Sequence, residues 1–574
     1  MKQETINRFY ENLSFSPLDI HFKNFAANLA QKDMPEISLA AALVSLYKGE
    51  GHICVQISPN MEIPITQSES EEWLGKLRKS IVVGKPGEYK PLILDDKSRL
   101  YLYRYWEYQE KLAEFIRNRI AAPVKDIDIN LLEQGLERFF PPNPDADESD
   151  WQKIAAQTAL TRKFCVISGG PGTGKTTTVT KILALLLAQN RDMKIALAAP
   201  TGKAAARLQE AILREKKKAA YETVRDSIPE AASTLHRLLG AVADSPYFRH
   251  NAKNPLSADV VVTDEASMVD MALMSKLVQS LLPETRLILL GDKDQLASVE
   301  AGAVLGDICD SGCDGIVQLQ KSYRFGAESG IGEVSRAVNA GKADDALRDM
   351  RDGNYADICW KNLPSDLNRQ IRDSIFEGFS EYLNAVARKE QPMEIFRNFE
   401  RFRILCALRE GPYGVNTLNS LTEEILKTKH LIRPYKTAWY AGRPVMITRN
   451  DYNLHLFNGD VGLMLPDPES KNELRVFFPV SGETMRKLHP LRLPEHETVY
   501  AMTVHKSQGS EFEKVLLLLP DKDSPVLTRE LVYTGITRAI KQAELWGTEA
   551  VFRTAVSRAI RRTSGLRDAL QQQR

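Results

Sequence analysis

The sequence predicts an α/β fold in which two domains are built on parallel sheets, the second carries a small all-β insertion, and a separate, mainly α domain precedes both. Three observations predict it. Short apolar runs alternate with helical spacing after residue 160, one such run opens into a glycine-rich turn, and a second series of runs is interrupted by brief strand patterns around a turn. The 574 residues suit roughly three to four domains better than one core.

Residues 1–140 carry no motif that points to chemistry. Residues 37–44 have helical apolar spacing, and 52–57 read as a strand. The Pro-rich, acidic run 141–148 is the best break in the chain and closes this domain. Residues 164–167 then read as a strand, 177–187 as a helix, 194–198 as a strand followed by a helix through 204–208. Residues 260–262 and 287–290 are further strands of the buried type. Such βαβ alternation implies a parallel sheet covered by helices, set here at 141–335. Within it, 241–256, with Tyr247, Phe248, Arg249 and His250, reads as a small hairpin or as a plain surface loop. The second α/β domain, 336–574, shows strands at 404–408 and 514–519. Between them 444–447, 462–465 and 475–478 are short strands, with Asn458-Gly459 at a turn, so a β insertion is expected near 430–497.

Composition excludes little beyond extremes. Hydrophobic residues are 43% and charged residues 26%, an ordinary globular mix. No apolar run is long enough to suggest a membrane span, and the start reads as no secretory signal. The six cysteines lie scattered, and Cys309 and Cys313 have no second pair with which to hold zinc, so reduced thiols in a cytoplasmic protein are expected. A net charge of +1 speaks against a protein that binds duplex DNA mainly by charge, but a motor needs only a charged track.

The chemistry is concentrated in a few strand ends. Gly169-Gly170-Pro171-Gly172-Thr173-Gly174-Lys175-Thr176 fits G-x-x-x-x-G-K-[ST] after a strand and before a helix. Backbone N–H groups of such a loop cradle phosphate oxygens, Lys175 reaches the β- and γ-phosphates, and Thr176 gives its hydroxyl to Mg²⁺. Asp264 and Glu265 end the strand 260–263, where a carboxylate is costly unless paired or bound to metal. Asp264 is expected on Mg²⁺ and Glu265 on the attacking water; alone, the pair is also compatible with a solvated strand end. Gln295, after a third strand, suits the γ-phosphate or lytic water, although a polar turn is the better reading of that motif in isolation. Arg324 and Arg538 are candidates to stabilise charge in phosphoryl transfer, yet spacing alone does not select them from other arginines, whose usual role is a surface ion pair worth about 0–1 kcal/mol.

These residues together resemble a known family. Gln152, the 169–176 loop, 199–204, 264–268 and 291–295 are similar to motifs Q, I, Ia, II and III of superfamily 1 helicases. Ser322-Tyr323-Arg324, 503–511 and 533–539 resemble motifs IV, V and VI. Residues 170–179, 295–307, 493–497, and 39–43 with 49–52 resemble the RecD-like branch, so the likeness covers nearly the whole chain and is weakest over 60–130. Two departures stand out: the helix-hairpin-helix repeats of the stand-alone relatives are absent, and the chain is short between 310 and 318.

The resemblance implies two RecA-like P-loop domains with ATP and Mg²⁺ between them, and an SH3-like insertion. It implies that Gln152 reads the adenine edge, Tyr323 stacks on the base, Glu511 contacts the ribose, and Thr177 joins the nucleotide-binding loop. Lys175, Thr176, Asp264, Glu265, Gln295, Arg324 and Arg538 take the roles given above.

For a strand track it implies Pro200, Thr201 and Lys203 in the first motor domain and Thr503, His505 and Lys506 in the second, whose N–H groups and hydroxyls suit successive phosphates. His236 belongs either to that track or to a plain capped helix start. The function implied is a 5′-to-3′ DNA helicase acting on single strands and duplex ends, as the smaller motor beside RecB-like and RecC-like subunits in double-strand break repair. No nuclease constellation is seen in the sequence. An ATP-gated DNA-binding scaffold without unwinding, and an RNA-directed helicase, remain as alternatives.

Overall fold

The computed structural model describes residues 2–571 except 32–33, 126, 142–149, 243–244, 327, 365, 433–438, 452 and 481–483. Most of the expected linker, 141–148, therefore lies outside the described residues.

The amino-terminal segment is organised by one helix. Pro35–Gly49 starts on a proline, whose missing N–H costs nothing there, and buries Ile37 and the whole run Leu39 to Val44. It is apolar nearly all round because the helices Gln3–Asn12, Pro17–Ala30 and Gln67–Arg78 and the strand Cys54–Gln56 surround it. Trp73 is fully buried, and its indole donates to the Glu36 carbonyl at 2.9 Å. A small four-stranded sheet, ordered Cys54–Gln56, Arg99–Leu102, Leu92–Leu94, Val83–Gly84, closes one side. Helix Tyr103–Ala121 then seats this segment on the first large sheet: Leu112, Ala113 and Ile116 share one core with Phe164, Val261 and Met274.

The first large sheet has six parallel strands, ordered Ile316–Leu319, Phe164–Gly169, Arg286–Gly291, Val260–Thr263, Ile195–Ala199, Ala232–Thr234. Its central strands are buried on both faces, which is why they read as continuous apolar runs. The second sheet has five parallel strands, ordered Ile358–Asn362, Ala539–Gly547, Phe512–Leu518, Phe402–Cys406, Ala501–Thr503. It begins earlier than the sequence suggests, since the edge strand Ile358–Asn362 keeps Lys361 and Asn362 in water and so lacks an apolar run. The helix after the glycine-rich loop is also longer, Lys175–Gln189.

The β insertion is a five-stranded antiparallel sheet, ordered Met485–Leu488, Glu473–Pro479, Val461–Asp467, Arg443–Ile447, His496–Thr498. Val445, Ile447, Met464 and Phe478 fill its own small core, while Met446, Leu463 and Phe477 join the core of the second parallel sheet. Both faces are covered, so its strands show little polar alternation.

After helix Glu549–Ser557 the chain turns back across the molecule. The Thr563 carbonyl accepts from Ile53 N at 2.9 Å, Gly565 N donates to Gln109 Oε1 at 2.7 Å, and the Asp568 carboxylate takes Arg99 at 2.5 Å. Helix Leu566–Gln571 packs on Tyr103–Ala121 and on Val304–Asp310. This tail straps the second parallel-sheet domain to the first and to the amino-terminal segment. No helix among the described residues is long and apolar enough to cross a membrane.

Candidate functional site

The site lies at the carboxyl ends of the first sheet, facing the second, where ligands of open parallel sheets bind. The glycine-rich turn joins Phe164–Gly169 to Lys175–Gln189. Gly172 and Gly174 have φ of +78° and +81°, and a Cβ on either would collide, with Arg324 in one case and the Gln152 amide in the other. Only backbone fits there, so the loop can close on an anion. The Lys175 ammonium donates to the Gly169 and Gly170 carbonyls at 2.6 and 3.1 Å. Thr176 and Thr177 follow in the first helical turn, half-buried. Pro171 and Thr173 are buried; Ser322 Oγ donates to the Pro171 carbonyl at 3.3 Å, and Thr173 Oγ1 to that of Gly170 at 2.8 Å.

Gln152 donates through its amide to the Thr173 carbonyl at 3.1 Å, and Tyr323 N donates to the Gly172 carbonyl at 2.8 Å. The two residues expected at the base thus flank the loop, with the Tyr323 ring 64% exposed and free to receive a planar partner.

At the end of strand Val260–Thr263 the Glu265 N–H donates to Asp264 Oδ1 at 2.8 Å. Burial, reinforced by Glu265, pushes the Asp264 carboxyl up to about 6. Glu265 itself sits in the left-handed region at φ +51°, a conformation costly for a side chain with Cβ and found where surroundings enforce it. The two half-buried carboxylates, with the hydroxyl of Thr176 in the first turn of helix Lys175–Gln189, are oxygen donors of the kind that suits a hard divalent cation. Among the described residues no group of three or more His, Cys, Asp or Glu is placed to hold a metal ion.

Gln295 is buried and donates to Asp292 Oδ2 at 3.0 Å, while its own Oε1 has no partner. Asp292 also accepts from the Tyr533 hydroxyl at 2.9 Å, across the two sheets, and burial raises its carboxyl above the usual range. Arg538 is buried; its Nε donates to the Thr534 carbonyl and its Nη1 to that of Ser510, each at 3.1 Å. Burial lowers its pKa against the pull of Glu265 and Glu511. Arg324 Nη2 meets Glu511 Oε2 at 2.8 Å, and its Nη1 is buried without a partner. Glu511 thus lies between arginines, and although burial opposes it, Arg207 and Arg324 hold its carboxyl down at about 2.

Of the expected track residues, Thr201 caps helix Gly202–Glu215 by accepting from Ala204 N at 3.2 Å, with Pro200 just before it. Lys203 lies 3.8 Å from Glu400 and 5.7 Å above the Phe512 ring, and burial lowers its pKa. On the second sheet Thr503 Oγ1 accepts from Lys506 N, His505 is half-buried beside Arg562, and Lys506 pairs with Glu497 at 3.1 Å. The His236 ring lies tilted against Phe248, 5.7 Å between centroids, in a helix capped by Thr234, and burial lowers its pKa. Phe248 makes an isolated antiparallel bridge with Ala241, and Asn251 another with Asn254.

The chain matches three family models: the N-terminal domain of RecBCD enzyme subunit RecD over 11–101, an AAA domain over 152–301, and a UvrD-like helicase C-terminal domain over 498–545. It is 39% identical to RecBCD enzyme subunit RecD of Haemophilus influenzae, covering 81% of this chain and 79% of that one. The same subunit of Mycolicibacterium smegmatis is 38% identical, covering 96% and 97%. The chain belongs to the RecD family. The ATP-dependent RecD2 DNA helicase of Deinococcus radiodurans is a more distant relative, 30% identical over 80% of this chain and 57% of its own length.

Within this RecD-family site, reading residues in sequence missed four partners. Asp292 and Tyr533 lie 241 positions apart, and Arg207 reaches Gly509 across 302, so no local pattern announces either contact. Gln508, whose amide donates to the Leu296 carbonyl at 2.7 Å, stands inside a quoted motif but had no assigned role. For Asp292 there was a signal: a carboxylate closing a buried apolar strand, as at Asp264.

Proposed function

We propose that this chain is an ATP-dependent DNA helicase that moves 5′-to-3′ along a single strand as one motor of a RecBCD-like complex. The observation that carries the proposal is the pairing of a phosphate loop and acid pair on one sheet with two arginines held over them by other segments, Arg324 and Arg538. The glycine cradle and the raised Asp264 carboxyl fit a nucleotide with Mg²⁺, which Thr176 and Asp264 would hold. The metal supplies charge neutralisation at the phosphates. Lys175 would exchange its loop carbonyls for phosphate oxygens, Glu265 would orient and accept a proton from water, and Gln295, with a free buried oxygen, would hold that water in line. Arg324 and Arg538 then stabilise the developing charge, a contribution of several kcal/mol in comparable sites.

The tract 1–140 is read as the partner-binding domain, 141–335 and 336–574 as the two motor domains. Helix Pro17–Ala30 supports the first assignment: Leu18 (71% exposed), Phe25 (52%) and Leu29 (41%) recur at helical spacing on its outer face. A RecB-like or RecC-like subunit is the partner proposed for that stripe, and the cytoplasm the compartment. Pro200, Thr201, Lys203, Thr503, His505 and Lys506 are read as the strand track. His236, in the first turn of the helix capped by Thr234, is read as a further candidate contact beside it.

The test is ATP-driven unwinding by the purified chain of duplexes bearing a 5′ or a 3′ single-stranded tail. Unwinding confined to 5′ tails is expected; opening from 3′ tails overturns the polarity. No ATPase stimulation by DNA strands, with stimulation by RNA, overturns the substrate.

A further inference from the structure

The loop 508–511 is held at every residue. Gln508 donates to the Leu296 carbonyl at 2.7 Å, next to Gln295. The Gly509 carbonyl accepts from Arg207 Nη1 at 2.8 Å, the Ser510 carbonyl accepts from Arg538, and Glu511 takes both Arg207 and Arg324 on the same oxygen at 2.8 Å. Gly509, at φ +69°, brings this loop against Ala204 so closely that an added Cβ would just touch it. The loop therefore touches the phosphate-side residues and helix Gly202–Glu215 at once.

That helix begins at Thr201 and Lys203, two residues of the proposed strand track. Lys203 and Arg207 are four apart and share one face. Lys203 is aimed at Glu400 and Phe512, Arg207 at Gly509 and Glu511, so a single face of the helix is docked on the second motor domain. A shift of the helix on gripping a phosphate must move the Arg207 guanidinium with it.

We propose that Arg207 is a positioning residue that couples strand binding to hydrolysis. Arg207 and Arg324 share one carboxylate oxygen of Glu511, each at 2.8 Å. When the strand seats the helix so that Arg207 alone compensates Glu511, Arg324, whose Nη1 is buried without a partner, is released toward the phosphate loop, where its Cβ already crowds Gly172. Without the strand, Glu511 retains Arg324 for more of the time, even with nucleotide bound. Arg207 touches neither phosphate nor strand in this scheme; it sets the fraction of time Arg324 is available. The inference rests on the helicase reading of this same site.

The experiment compares kcat for ATP with and without saturating oligo-dT in wild type, Arg207→Ala and Arg207→Lys, with strand affinity measured separately by fluorescence anisotropy. The expected result is a stimulation factor at least fivefold smaller in Arg207→Ala at full strand occupancy, partly restored in Arg207→Lys, which keeps the charge but not the two-pronged contact. A stimulation factor equal to wild type, whatever the absolute rates, overturns the coupling role. An equal loss in Arg207→Lys and Arg207→Ala supports it in the stronger form that both prongs are needed, provided Arg324→Lys alone lowers the stimulated rate; otherwise it is overturned. Wild type that oligo-dT does not stimulate overturns the helicase reading itself, a result distinct from either.

Discussion

Replacing Asp264 by Asn should make the protein more stable while abolishing its ATPase. Burial and the neighbouring Glu265 lift the Asp264 carboxyl from its ordinary 3.8 to about 6. Two units correspond to roughly 3 kcal/mol of penalty on the ionised form, at about 1.4 kcal/mol per unit. The carboxylate is half-buried, so solvent screening trims this to about 1–2 kcal/mol. The sign is fixed by linkage: a carboxyl raised in the folded state costs stability above its folded pKa, and the cost fades as pH falls through 6 towards 4. Asn carries no charge and escapes the cost. In EDTA without nucleotide, Asp264→Asn should melt a few degrees above wild type at pH 8, at about 2–4 °C per kcal/mol for a domain of this size, with the gap closing at pH 4.5. Adding Mg²⁺ and ATP should reverse the order, because only the wild type gains by binding. A variant less stable than wild type at pH 8 in EDTA, or a gap independent of pH, refutes the reasoning.

Lys175→Gln should keep the fold and lose nearly all ATP hydrolysis, since the ammonium contacts only loop carbonyls that water can also satisfy; normal turnover would remove the phosphate loop from the site. Asp568→Ala should loosen the tail by about 1–2 kcal/mol, because buried Arg99 keeps Asp95 but loses a second carboxylate. Hydrogen exchange at Thr563 and Gly565 should then quicken about tenfold or more, and unchanged protection there would show that the strap is held elsewhere.

The parts of the fold legible in the sequence are those where burial is two-sided. Phe164–Gly169, Val260–Thr263 and Phe512–Leu518 read directly because parallel central strands have no polar face. Edge strands did not: Ile358–Asn362 and Ile316–Leu319 alternate with exposed residues, and Ala232–Thr234 is half-exposed throughout. The tail 558–571 was invisible for another reason. Its hold depends on Thr563, Gly565 and Asp568 meeting His52, Gln109 and Arg99, each more than 450 positions away, and no local pattern encodes such pairs. At the site the glycine-rich loop was legible because its backbone demands glycine, whereas the left-handed Glu265 was not, since an Asp-Glu pair says nothing of its φ.

The charges around the cleft explain why a near-neutral chain suffices for an anionic ligand. Lys175, Arg207, Arg324 and Arg538 face Asp264, Glu265, Asp292 and Glu511, so the resting site is balanced within itself and offers no standing excess of positive charge. A triphosphate with one Mg²⁺ brings net negative charge, and its entry has to free a guanidinium from a carboxylate rather than recruit one from water. Glu511 is the carboxylate with two arginines on one oxygen, so it gives one up at the least cost, keeping its charge compensated by the other. Asp292 has no such spare: its partners are a hydroxyl, an amide side chain and a backbone N–H, which hold it in place without a charge to exchange. The nucleotide's arrival is therefore felt first at Glu511, on the segment that also touches the strand-side helix. A site built from surplus positive charge would bind the anion as well but would have nothing to release.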